Sequence, residues 1–148
     1  MPFGGAGDGA VLLIGESGSG KSDVALRLIA MGAKLISDDQ TALFEWGGRV
    51  HAEAASNLRG RIEIRGVGIV SIENSGAAPV ILAVRLEKDA APPRLPEAAL
   101  YRFPPQLAAC PRPPLLLLKP FEASTPAKIA AAAACIHRGA FVAGAVSR

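Results

Sequence analysis

Gly15-Glu16-Ser17-Gly18-Ser19-Gly20-Lys21-Ser22 fits the pattern G-x-x-x-x-G-K-[ST], and residues of these types at this spacing bind phosphate. The three glycines let backbone wrap around phosphate oxygens where a side chain would intrude. N–H groups opening the following helix, together with its dipole, favour an anion. Lys21 reaches the terminal phosphates of a nucleotide in such a loop, and the Ser22 hydroxyl ligates magnesium. The loop needs a buried strand before it and a helix after it. Val11-Leu12-Leu13-Ile14 is continuously apolar, as a buried parallel strand should be. From Asp23 to Met31, Val24, Ala25, Leu28 and Ile29 share one helical face, and Gly32 can end the helix. Binding of a nucleoside triphosphate is the expectation.

A phosphate loop does not say where the phosphate goes. Lys34-Leu35-Ile36-Ser37 reads as a second short strand ending at Asp38-Asp39. A carboxylate there can hold magnesium, and a second beside it can take a proton from an attacking hydroxyl. An ordinary acidic turn is the plain alternative. Arg61-Ile62-Glu63-Ile64-Arg65 alternates strictly, with three charges on one face and two isoleucines on the other. Glu63 there could ligate a metal and Arg65 could neutralise charge on a moving phosphoryl group. A solvated face of an edge strand would carry the same charges. His51 and His137 read as surface histidines, Cys110 and Cys135 as thiols without a role, and Arg94 by default as a loop arginine.

These residues sit in a chain of 148, one domain's worth, half hydrophobic, with a formal charge of +3. The basic residues form no run dense enough for nucleic acid. No apolar stretch approaches a membrane span, and the start shows no secretion signal. Two cysteines without metal spacing suit a reducing compartment. A soluble cytoplasmic domain is expected. Residues 1–10 read as a glycine-rich lead-in or turn between strands. Ala42 to Trp46 and Arg49 to Glu53 flank Gly47-Gly48, a hairpin signal. Gly66-Val67-Gly68 reads as a flexible loop and Pro79 to Leu86 as a strand with its proline at the edge. Residues 91–114 are proline-rich and read as an extended connector over the surface. Leu115 to Leu118 is a further strand. The last helix spans 125–137, with Thr125 as cap, Pro126 in its first turn and Gly139 as its stop. Mixed strands and helices around a phosphate loop make the fold class α/β.

Three segments together resemble the catalytic domain of the HPr kinase/phosphorylase family: G-E-S-G-S-G-K-S-D at 15–23, L-I-S-D-D at 35–39 and E-I-R-G-V-G-I at 63–69. The phosphate loop is shared by many families; the last segment is far more particular. The match covers roughly residues 11–86. Beyond it, Lys119-Pro120-Phe121-Glu122-Ala123-Ser124 looks like the short alphaproteobacterial-type members, which lack the family's separate N-terminal domain.

The resemblance implies a phosphate-loop domain similar to phosphoenolpyruvate carboxykinase, with a mixed sheet and flanking helices. It implies an ATP- and magnesium-dependent kinase that phosphorylates a serine of the phosphocarrier HPr, and in many members removes that phosphate by phosphorolysis. Residues Gly15 to Ser22 would hold ATP, with Lys21 on the phosphates. Ser22, Asp38 and Glu63 would ligate magnesium, and Asp39 would be general base and, in reverse, general acid. Arg65 would lie in the signature loop and Arg94 near the protein substrate. Relatives form hexamers, so a homo-oligomer is implied. Two departures stand out. No histidine precedes Gly15, where the family carries one on an upstream strand that this chain is also expected to lack. Leu118 to Glu122 lacks the glycine-arginine pattern that longer relatives show in their dephosphorylation loop. A small-molecule kinase and a nucleotide-binding regulatory module without transfer are the competing readings.

Overall fold

The computed structural model describes residues 3–4, 9–38, 40–55, 60–94 and 96–139. Its elements are β1 Phe3–Gly4, β2 Ala10–Ile14, α1 Lys21–Ala30, β3 Lys34–Leu35, β4 Thr41–Trp46, β5 Arg49–Ala54, β6 Arg61–Ile64, β7 Gly68–Ser71, β8 Ala78–Leu86, β9 Leu115–Leu118 and α2 Thr125–His137. A short 3-10 turn at Pro105–Leu107 interrupts the proline-rich stretch. The class is mixed α/β, as expected. β8 is the axis of the main sheet, parallel to β2 on one side and to β9 on the other. At its start β8 also pairs antiparallel with β5, which forms the expected hairpin with β4. Pro79 takes part in that short pairing at the beginning of the strand, a position where a missing N–H is tolerated.

The two faces of the sheet bury different clusters. Val11 and Leu13 of β2 pack with Leu82, Val84 and Leu86 of β8, with Val24, Ala25 and Leu28 of α1, and with Ile129 and Ala133 of α2. Ala10 and Leu12 face the other way, beside Val80, Ala83, Val50, Ala52 and Phe103. Strict alternation would put Val80 and Leu82 on one face. They lie on opposite faces because the register slips: Ala10 pairs with Val80 but Val11 pairs with Leu82. One extra residue in β8 therefore turns the rest of the strand over, as a bulge does. The large side chains Leu82 and Leu86 thereby reach the helical side. Leu82 is wholly buried, and Leu82→Ala is expected to cost about 2–5 kcal/mol, read as a lower denaturant midpoint at unchanged m-value.

Several expected boundaries move. α1 begins at Lys21, inside the motif, and ends in a Schellman arrangement: Ala33 N–H donates to Leu28 O (3.1 Å) and Gly32 N–H to Ile29 O (3.0 Å). The second strand stops at Leu35. Gly68 opens β7, so the supposed flexible loop is a tight turn between β6 and β7, closed by Val67 N–H on Ile64 O (2.9 Å). The proline-rich stretch does more than cross the surface. Phe103 is buried in the second cluster, with the Tyr101 ring edge-on at 5.5 Å, because both described α-helices pack on the opposite face. Thr125 is the first residue of α2 rather than its cap; Ser124 takes the cap position, without a side-chain bond. Upstream of β2, the two-residue β1 pairs antiparallel with β3. No described helix is long and apolar enough to cross a membrane.

Candidate nucleotide and phosphoryl-transfer site

The parallel strands β2, β8 and β9 all end at the same edge, and ligands of open α/β sheets bind in the crevice outside such carboxyl ends. β2 runs directly into the phosphate loop. β8 runs into Glu87-Lys88-Asp89-Ala90, and between these two segments lies a cavity of about 710 Å³. β9 runs into Lys119-Pro120-Phe121, which leads to α2.

The loop closes on itself through Ser19 N–H, which donates to Glu16 O at 2.9 Å. A side chain on Gly15 would be crowded: a Cβ there would run into Ser19 Oγ and lie 3.0 Å from the carbonyl oxygen of Leu86. Gly20 is doubly constrained. Its φ of 96° is left-handed, and a Cβ would stand 2.7 Å from Pro120 Cβ and 2.9 Å from Phe121 Cζ. As N-cap of α1 it offers no side chain to the first-turn N–H groups, which leaves them for an anion. Lys21 is half-buried and its Nζ donates to Gly15 O at 2.8 Å, folding the ammonium over the loop.

Asp38 joins this loop to the rest of the expected site. Its Oδ1 accepts from Ser22 Oγ at 3.2 Å, and its Oδ2 accepts from the backbone N–H of Glu63 at 3.1 Å. One carboxylate thus ties the start of α1 to the segment after β3 and to β6. Next to it, Ser37 is completely buried and donates its hydroxyl to Gln40 O, which holds the turn that presents Asp38. A serine hydroxyl beside a carboxylate is a hard-oxygen donor set of the kind magnesium takes. Among the described residues no group of three acidic, histidine or cysteine side chains forms a cluster.

The other expected residues are less concentrated. Glu63 and Arg65 lie on the outer face of β6 and at its turn, both exposed; it is the main chain of Glu63 that touches Asp38. Arg94 is exposed in the stretch after β8, and among the described residues no bond ties it to the loop. Asp39 lies outside the described residues. Glu16, Ser17 and Gly18 stand at the exposed tip of the loop.

Arg27 escaped the sequence reading. Its Nη1 donates to Glu122 O at 2.9 Å and its Nη2 to Pro120 O, while the same guanidinium meets Asp23 at 2.8 Å. Thr125, fully buried, donates Oγ1 to Lys119 O. The Arg27 bonds clamp the β9–α2 turn onto α1 from the helix's last turn, and the Thr125 bond braces the β9–α2 turn internally. No sequence signal announces a contact between side chain and backbone across more than ninety positions.

The family model of the HPr Serine kinase C-terminal domain matches residues 6–86, more than half of the chain. The HPr kinase/phosphorylase of Latilactobacillus sakei subsp. sakei (strain 23K) is 42% identical over 74 residues, covering 49% of this chain and 24% of that protein. That of Pediococcus pentosaceus is 42% identical over 72 residues, 48% of this chain and 23% of its own length. The matches thus span under a quarter of these relatives. The solved Hpr(Ser) kinase/phosphatase from Coxiella burnetii superposes with a TM-score of 0.68 at 25% identity, covering 82% of this chain and 83% of that one. Family match, curated relatives and structural neighbour agree with a loop whose serine, aspartate and β6 backbone are bonded together: this chain belongs to the HPr serine kinase C-terminal domain family.

Proposed function

We propose that the chain is an ATP-dependent serine protein kinase that phosphorylates the phosphocarrier HPr. The observation that carries the reading is the Ser22–Asp38–Glu63 linkage, which puts a carboxylate beside the phosphate loop and the signature strand against it. The relatives of matching sequence bear the name HPr kinase/phosphorylase, which supports HPr as the acceptor.

In this reading the first-turn N–H groups of α1 and the Lys21 ammonium hold the β- and γ-phosphates. Ser22 and Asp38, with the backbone of Glu63 against them, would hold magnesium, which would supply charge neutralisation on the phosphate oxygens. The acceptor serine oxygen bonds to the γ-phosphorus as the bond to the β–γ bridging oxygen breaks and ADP leaves. Asp39 takes the serine proton, and Arg65 and Arg94 balance charge toward the protein substrate.

The test is incubation with magnesium, labelled ATP and HPr from the same organism, with the modified residue mapped by mass spectrometry. Phosphoserine on HPr is expected; ATP binding with no transfer to HPr would overturn the reading. Within it, Asp39→Asn should lower kcat roughly 10²- to 10⁴-fold, the usual worth of a general base, while the affinity for ATP measured by calorimetry stays the same.

A further inference from the structure

Phe121 is a large apolar side chain left 58% exposed in the turn between β9 and α2. It is not loosely placed. Arg27 holds the carbonyls on either side of it, those of Pro120 and Glu122, and Thr125 holds that of Lys119. One edge of the ring touches the phosphate loop at Gly20. The Lys88 ammonium lies over the ring, 5.7 Å from its centroid, and Lys88 belongs to the cavity wall opposite the loop. A rigid aromatic surface therefore stands between the phosphate loop and the segment that follows β8.

The charge of that wall says which part of a nucleotide it suits. The cavity is lined by Glu16, Glu87 and Asp89 against Arg85 and Lys88. Carboxylates accept hydrogen bonds from ribose hydroxyls and repel phosphate oxygens. The polyphosphate belongs with the first-turn N–H groups and Lys21, and the nucleoside half is left for the wall of residues 85–90 and the aromatic ring that Lys88 covers.

Resting on the reading that the loop binds a nucleoside triphosphate, we propose that Phe121 is the stacking platform for the nucleobase. The ring face under Lys88 is turned toward the cavity wall, so an entering base takes the place of the ammonium over the ring. The phosphate loop recognises polyphosphate; Phe121 gives a nucleotide its advantage over polyphosphate alone.

Calorimetric titration of the whole chain with Mg-ATP and with Mg-tripolyphosphate separates the two contributions. Phe121→Leu, which keeps apolar bulk against Gly20 without a π face, should weaken ATP about tenfold and change tripolyphosphate by less than about twofold, as stacking on an aromatic predicts. Phe121→Trp should keep the affinity for ATP. In turnover the leucine variant should raise KM for ATP at unchanged kcat. Unchanged ATP affinity in Phe121→Leu, or equal losses for both ligands, would overturn the platform. Wild-type protein that bound tripolyphosphate as tightly as ATP would overturn it while sparing the loop. Binding of neither ligand would remove the phosphate-loop reading and the platform with it.

Discussion

Lys21→Ala is expected to lower phosphate transfer to HPr roughly 10²- to 10³-fold, the range seen when one positioned donor to a developing charge is removed. The fold should survive. Lys21 is only half-buried, and its ammonium contributes one hydrogen bond, to Gly15 O at 2.8 Å, inside its own loop. Losing that bond costs about 1 kcal/mol, a shift of roughly 2–4 °C in Tm for a chain of this size. Alanine also suits the first turn of α1, where Lys21 begins the helix. A circular dichroism melt run beside the transfer assay checks both halves of the expectation. Full activity in this variant would remove the phosphate-loop assignment, since the charge that gathers the phosphates would be shown to be unnecessary.

The second large effect is expected at Asp38. Its two oxygens accept from Ser22 Oγ and from Glu63 N–H, so the side chain is both a structural tie and a carboxylate bonded to the serine proposed to hold magnesium. Asp38→Asn separates these roles. The amide oxygen can still accept from Glu63 N–H, and the amide nitrogen can donate to Ser22 Oγ, whose hydroxyl accepts as readily as it donates. The tie survives and the negative charge is lost. Transfer should fall roughly 10²-fold or more, as for a lost electrostatic contact to the reacting phosphates, and the magnesium needed for half-maximal activity should rise. Stability should change by no more than about 1 kcal/mol. A magnesium titration of initial rates, paired with a denaturant curve, makes the measurement. A variant with unchanged rate and unchanged magnesium dependence would move the metal-side role to a different residue. A large loss of stability with little loss of rate would make Asp38 a tie and nothing more.

Much of the site was legible in the chain because its chemistry is local. The phosphate loop needs backbone freedom, a helix start, a lysine and a hydroxyl within eight consecutive residues, so one short segment carries its own evidence. The alternation at 61–64 was legible for the same reason: Ile62 is buried while Arg61 and Glu63 are exposed. The hairpin around Gly47-Gly48 and the strands at β8 and β9 were read close to their true limits, because turn residues and apolar runs mark them directly.

What the sequence left unread depends on partners far along the chain. Thr125 reads as a helix cap by composition, but tertiary contact turns its hydroxyl to Lys119 O instead. The proline-rich stretch gives no sign that Phe103 will cover a sheet face, since that need exists only once both helices lie on the opposite face. The bulge in β8 is invisible in an uninterrupted apolar run, where every register buries a hydrophobic side chain. Arg27 looks like any surface arginine of an amphipathic helix until the β9–α2 turn is laid across it. The chain by itself carried the expectation that phosphate is bound and named the loop for it, because dihedral freedom and donor groups are properties of adjacent residues. Only the tertiary structure decided that Asp38 meets Ser22 and β6, and that Phe121 stands between Gly20 and Lys88, because both are contacts between segments brought together by burying the sheet against α1 and α2.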